Sequence, residues 1–363
     1  MSQHLFSASP AAAARWPEGG LETVPVCPVC GSADRELNHS GLRDRLFGCA
    51  PGEWSLYRCS ACGAGYLNPR PNAETISLAY SRYTTHGAAA GDDPSALPAR
   101  RKRRLARRDA YLAAHHGYPL APGNAANLRW LSRNRRRRFE ESVAYLRYPG
   151  KGARLLDIGC GNGRFLRHMR ALGWEVCGVE PDPKATAEAI AAGLDVRAGV
   201  LDSVSLPADS FDAITLNHVI EHVPRPVETL GQCLRVLKPG GTISILTPNF
   251  ESEGHRLFGS NWFPLEAPRH LVLFTAGSLR RALASAGFEP EPTVRLRLAA
   301  QEMFRRSFMH LRRGDRPIRD QFTLPWHTEL RARFVALLAD RKVRDQPELA
   351  EELALLARKP GSA

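Results

Sequence analysis

The chain has 363 residues, 43% of them hydrophobic, and a formal net charge of +13. That is enough for one large buried core with a smaller unit beside it. The first thirty residues lack a basic start followed by an apolar run, and no stretch approaches the ~20 apolar residues of a bilayer span. Neither a signal peptide nor a transmembrane helix is therefore expected, and a cytoplasmic location is. The charge is concentrated: between Arg100 and Arg138 there are thirteen Lys or Arg against the single acid Asp109, so the rest of the chain is close to neutral.

Residues 1–24 are rich in Ala, Ser and Pro without periodicity and read as a disordered tail. Over 25–71 the pattern changes. CPVCG (Cys27–Gly31) and CSACG (Cys59–Gly63) are two Cys-x-x-Cys turns, each followed by a glycine that lets backbone amides face the thiolates. Cys27, Cys30, Cys59 and Cys62 give the four thiolates of a closed structural zinc site, with Cys49 left as a bystander. A degenerate ribbon that kept its cysteines without metal is the alternative. Cys160, Cys177 and Cys233 lie in a loop, a strand and a helix and read as reduced thiols.

Residues 72–150 form a helical, basic region. An amphipathic helix carrying Tyr80 and Tyr83 is expected over Asn72–Gly91, then a linker to Pro98. Two basic helices follow, Pro98–His116 and Ala125–Tyr148. The second has a buried side made of Leu128, Leu131, Phe139, Val143 and Leu146.

From 151 to 297 short apolar strands alternate with helices, which predicts an α/β fold with a mainly parallel sheet. Strands are expected near Arg154–Ile158, Glu175–Val179, Val196–Ala198, Phe211–Asn217, Gly241–Thr247, Phe288–Leu296 and Glu352–Ala357. The most informative stretch is DIGCGNGRF, Asp157–Phe165, behind the first of these. Gly159, Gly161 and Gly163 remove side chains from a strand-to-helix turn, so backbone can approach a ligand closely. Glu180 ends the next strand, 21 residues after Gly159, the distance at which a carboxylate meets ribose hydroxyls. The chain should bind a nucleoside-containing cofactor. Asp157, two residues before the first glycine, would repel a pyrophosphate and suits a cofactor carrying positive charge.

The motifs DIGCGNGRF, GVEPD (Gly178–Asp182), SFDAITLNHVIEHV (Ser210–Val223) and LRVLKPGGTISILTPN (Leu234–Asn249) occur in order. Together they resemble the class I S-adenosylmethionine (SAM)-dependent methyltransferases. The resemblance implies a Rossmann-like seven-stranded sheet, with the zinc ribbon ahead of it and helical insertions around it. Residues 298–363 then supply a helical extension and the final antiparallel strand. It also implies that Asp157 meets the methionine ammonium and that Gly159, Cys160 and Gly161 admit the cofactor. Glu180 takes the ribose, with Asp182 helping it or capping the next helix. Leu201 and Asp202 meet the adenine, and Asn217 and His218 border the methyl group.

An acceptor hydroxyl needs a nearby base. Candidates are Glu221 and His222 in IEHV and His270 in LEAPRHLVLF, the last being favoured. The segment TPNFESEGHRLFGSNWFPLEAPRHLVLF resembles a bacterial subfamily associated with cell-surface glycans and secondary metabolites, whose members carry an N-terminal cysteine ribbon. On that basis Trp262 and Arg269, with Tyr80 and Tyr83, should line the acceptor. The expected acceptor is a hydroxylated small molecule or a lipid- or nucleotide-linked glycan. The rival readings are an rRNA or tRNA methyltransferase that grips phosphates with its Arg-rich segment, and a non-catalytic SAM-binding assembly module. Ribbon and catalytic unit should have separate cores, so that loss of zinc leaves cofactor binding intact.

Overall fold

A computed structural model of the chain describes residues 15–81, 98–120, 128, 131–292, 295–296, 300–315, 317 and 323–361. Five short strands come first: β1 (Leu21–Glu22), β2 (Arg35–Leu42), β3 (Trp54–Cys59), β4 (Gly65–Leu67) and β5 (Arg70–Pro71). A 3-10 turn, Ile76–Tyr80, precedes α1 (Ala99–His116) and α2 (Arg133–Glu141). The alternating unit then runs β6 (Arg154–Ile158), α3 (Arg164–Ala171), β7 (Glu175–Glu180), α4 (Pro183–Ala191), β8 (Asp195–Ala198) and β9 (Phe211–Asn217). It continues with α5 (Pro226–Val236), β10 (Leu237–Pro248), α6 (Glu253–Phe258), β11 (Val272–Leu273), α7 (Ala276–Ser285), β12 (Glu289–Pro290) and β13 (Arg295–Leu296). Two long helices, α8 (Ala300–Arg313) and α9 (Trp326–Asp345), stand before the last strand, β14 (Glu352–Arg358).

The main sheet has the order β12-β14-β10-β9-β6-β7-β8, with β13 also on β14. Strands β6 to β10 are parallel, and β14 runs against β10 from Thr242 opposite Arg358 to Pro248 opposite Glu352. Leu155, Leu156, Ile214, Leu216, Ile243 and Ile245 are all buried, as strands covered on both faces require. The sheet is the seven-stranded α/β arrangement expected from the sequence. Its strand order turns at β6, which has β7 on one side and β9 on the other, so a crevice opens beyond the carboxyl ends of these strands.

Several expectations change. The helix predicted to run to Tyr148 stops at Glu141, because Ala144 and Tyr145 adopt positive φ (49° and 59°); its proposed start lies outside the described residues. The helix expected over Asn72–Gly91 is a single 3-10 turn as far as it is described, and Tyr83 lies beyond that. The strand expected over Phe288–Leu296 is broken into β12 and β13.

The largest difference concerns the ribbon. Its sheet has the order β11-β4-β3-β2, and β11 comes from the catalytic unit, with Val272 opposite Tyr66 and Leu273 opposite Gly65. Trp54, Leu56 and Tyr66 belong to the same apolar cluster as Phe250, Trp262, Leu279 and Leu283. His39 Nε2 lies 2.8 Å from His255 Nε2, so the two rings share a proton across this junction. The separate cores expected from the sequence are thus one core, since so short a ribbon cannot bury enough apolar surface by itself. The tail is also shorter than expected. Trp16 packs edge-on to Trp54 at 5.2 Å between centroids, and Leu21 pairs with Pro71.

Candidate active site

The glycine loop leaves β6 at the crevice. Gly159 has a φ of 68°, and a Cβ there would sit 2.5 Å from Val219 Cγ2. Gly161 has a φ of 54° and nothing within 4 Å of where a Cβ would be, which keeps the approach to its backbone open. Its N–H donates to Glu180 Oε2 (2.7 Å), and the Asp182 N–H donates to Oε1 (2.9 Å), so the Glu180 carboxylate is fixed at the end of β7. Burial raises its pKa, with those two amides opposing. Asp182 itself caps α4, accepting from the Lys184 N–H at 2.9 Å. Asp157 is buried, and its Oδ1 accepts from the Thr215 hydroxyl at 2.6 Å. Burial pushes this carboxyl up to about 7, against the Thr215 hydrogen bond and with help from the Glu180 charge.

Cys160 directs its thiol into a cluster with Leu166, Ala189, Leu194 and Val196, leaving only its backbone for a ligand. At the end of β8, Leu201 is buried while Asp202 is exposed. Val200, within the Gly199–Asp202 stretch expected to meet the adenine but not singled out in it, is 55% exposed there and offers an apolar surface.

A second group of side chains gathers where β9 ends. Asn217 is half-buried at the strand terminus. His218, at a φ of 55°, donates to Glu221 Oε1 (3.3 Å) and to Glu352 Oε1 (3.0 Å). Burial opposes its charge, but these two carboxylates prevail and raise its pKa to about 10. Glu221 is fully buried, and its Oε2 accepts from the Thr247 hydroxyl at 3.0 Å. Burial would raise its pKa; the His218 hydrogen bond and charge instead hold it at about 2.

His222 Nδ1 lies 3.0 Å from the Arg269 carbonyl and 3.0 Å from the Tyr80 hydroxyl. A carbonyl cannot donate, so Nδ1 carries the hydrogen and Nε2 is the basic nitrogen. His270 is fixed in the same way by Pro264 O at 2.6 Å, and the two imidazoles stand 4.7 Å apart, edge to face. Burial depresses His270 to about 4, with the neighbouring Glu266 charge resisting. Ligand atoms of Glu221, His222 and His270 all lie within 4.8 Å of one another, close enough to surround a cation. The three candidate base residues are therefore brought together, along with Tyr80.

Trp262 and Arg269 do not form the acceptor wall expected of them. Both are fully buried. Trp262 Nε1 donates to Glu351 Oε2 at 3.0 Å. Arg269 donates to Asp44 in the ribbon (2.7 Å), to Glu266 (3.0 Å) and to the Ala79 carbonyl (3.0 Å), next to Tyr80. Asp44 also accepts from the amides of Leu46, Phe47, Cys49 and Ala50. This guanidinium joins the ribbon, the Tyr80 turn and the His270 loop. Long-range packing of this kind leaves no local signal in the sequence.

In the ribbon, Cys27 and Cys62 Sγ are 3.7 Å apart and Cys30 and Cys59 Sγ 3.5 Å apart, with all four within 4.8 Å. A tetrahedral zinc with Zn–S bonds of about 2.3 Å needs S–S edges of about 3.8 Å, so the four thiols fit that ion. Cys49 stands outside the group, with its thiol on the Ala79 carbonyl at 3.2 Å.

Residues 131–293, which include the glycine loop, Glu180 and the β9 cluster, match the family described as "Methyltransferase domain". These residues are a class I SAM-dependent methyltransferase domain. Among its relatives is the "Ubiquinone biosynthesis O-methyltransferase" of Cereibacter sphaeroides (strain KD131 / KCTC 12085), 29% identical over 184 residues, which are 47% of this methyltransferase and 74% of that protein. The protein of the same description from Dinoroseobacter shibae is 32% identical over 154 residues, 39% of this chain and 62% of that one. Among solved structures, a SAM-dependent methyltransferase from Mesorhizobium loti is 20% identical, with a TM-score of 0.41, over 61% of this chain and 98% of that one. No helix among the described residues is long and apolar enough to cross a membrane.

Proposed function

We propose that this methyltransferase moves the SAM methyl group to a hydroxyl of a small molecule or of a lipid- or nucleotide-linked glycan. The observation that carries the reading is His222. Its Nδ1–H is held by the Arg269 carbonyl, which leaves Nε2 to take a proton beside the end of β9. Bound SAM supplies an electrophilic methyl carbon. Asp157 and Glu180 would hold its ammonium and ribose, with Val200 or Leu201 against the adenine. His270 is the poorer candidate, because burial leaves it a weak base at neutral pH. The Arg269 carbonyl and the Tyr80 hydroxyl orient the His222 imidazole. The relatives named as O-methyltransferases agree with an oxygen acceptor. The four ribbon thiols would hold a structural zinc that fixes β3 and β4, and through β11 the acceptor side.

RNA remains the competing acceptor because α1 and α2 present exposed arginines. The aromatic residues among them, Tyr111 and Phe139, are buried and offer no base a stacking surface. The test is methyl transfer from labelled SAM to a panel of phenols, nucleotide-linked sugars, lipid-linked glycans and structured RNA. On a hydroxylated acceptor, His222→Ala should lower turnover about 10²–10⁴-fold with SAM affinity unchanged. Incorporation into RNA alone, abolished by reversing the charges of Arg135 to Arg138, overturns the reading.

A further inference from the structure

Helix α9 is built inside out. The residues it buries are small: Thr328, Ala332, Ala336, Ala339 and Val343. Its bulky apolar residues face away from the protein, with Trp326 75% exposed, Leu330 53%, Phe334 62%, Leu337 50% and Leu338 47%. At 100° per residue these five fall within about 120° of the helix circumference, opposite the buried stripe. An ordinary surface helix has the reverse arrangement. Large apolar residues scattered singly need no explanation, but a continuous stripe along one helix marks a contact surface.

The charges on the same surface select the partner. The exposed charged residues of α9 are Arg331, Arg333, Arg341 and Arg344 against the single acid Asp345. Arg341 and Arg344 continue the apolar stripe towards the helix end beside Asp345, and Arg331 and Arg333 flank it, Arg333 being paired with Glu329 at 3.3 Å. A second copy of the chain is a poor fit. In parallel pairing it would set arginine against arginine, and in antiparallel pairing it would set Arg341 against the apolar Leu330. A negatively charged bilayer surface satisfies both features, with apolar side chains entering the headgroup boundary and guanidinium groups resting on lipid phosphates.

The position is apt. α8 and α9 leave the sheet after β13, which runs parallel to β10, and so emerge at the carboxyl edge where the cofactor loops lie. Ser307 of α8 accepts a hydrogen bond from the Phe263 N–H at 3.0 Å, and Lys342 of α9 pairs with Glu253 at 2.8 Å. Both partners belong to the segment between β10 and β11 that carries His270.

We propose that the outer face of α9 docks this methyltransferase on an anionic lipid surface. The inference stands on α9 alone and does not depend on which acceptor is methylated. The test is flotation of the full chain with vesicles of phosphatidylcholine containing phosphatidylglycerol, beside vesicles of phosphatidylcholine alone. The wild type should float with the anionic vesicles and lose this at high salt. Phe334→Ser with Leu337→Ser should cut the bound fraction about tenfold, and Arg341→Glu with Arg344→Glu should do the same. Circular dichroism and SAM titration should show both variants folded. A wild type that stays with neither vesicle, or an apolar double variant that floats as well as the wild type, overturns the proposal. So does a wild-type dimer in light scattering that the double variant dissolves without any vesicle binding, since the face would then join two copies.

Discussion

Asp157 should make cofactor affinity a function of pH. Burial pushes its carboxyl from 3.8 to about 7, so the empty site is half-protonated near neutrality. A carboxyl that is to hold an ammonium must be ionised, so affinity should be present above the raised pKa and be lost as pH falls through it. The ionised fraction drops from about one half at pH 7 to about one-eleventh at pH 6, a ~5-fold loss of affinity worth about 1 kcal/mol, and by about another tenfold at pH 5. Working at or below pH 7 also keeps the cofactor's own α-amino group charged, because such groups titrate at about 7.7–8. Calorimetry in two buffers of different protonation enthalpy should detect a proton released on binding below pH 7. In Asp157→Asn, affinity should be weak and the pH response should shrink to whatever Glu180 contributes. A wild-type affinity that is equal at pH 7 and pH 5 would show that this carboxyl does not meet the cation.

Glu180→Ala should weaken SAM binding by roughly 2–4 kcal/mol, measured by calorimetry, since it removes charge-assisted hydrogen bonds and frees the Gly161 amide. Asp44→Ala leaves the Arg269 guanidinium buried without its closest partner and should cost about 3–5 kcal/mol in chemical denaturation. Cys59→Ser should lower the zinc content from one ion per chain, measured by elemental analysis. Because the ribbon and the catalytic unit share a core, it should also lower the melting temperature of a single transition. Two resolved calorimetric transitions would restore the view of independent modules.

The parts of this molecule written in local pattern were legible in its sequence. Asp157, the glycine turn and Glu180 announce themselves because strand alternation and fixed spacing place them at the ends of β6 and β7. The two Cys-x-x-Cys turns did so because their short intervals bring four thiols within 4.8 Å of one another. Arg269 and Trp262 were misread because an arginine and a tryptophan in a loop look the same whether they face a ligand or a buried carboxylate; Asp44 and Glu351, which decide the matter, lie 225 and 89 residues away. Tyr145 and Ala144 ended a helix whose apolar spacing had promised more. Val200 was not singled out because exposure is a property of the fold and not of valine.

The pairing of β4 with β11 also sets an order of events in synthesis. β4 ends at Leu67 and its partner begins at Val272, 205 residues later (272 − 67). At ribosomal rates of about 5–20 residues per second, the nascent ribbon waits roughly 10–40 s for the strand that completes its sheet. All four thiols have emerged long before then, so metal can be captured while the β4 edge is still unpaired. During that interval the edge is a template for other chains. Production of this protein is therefore exposed to aggregation at its beginning, from an element that only its later half can close.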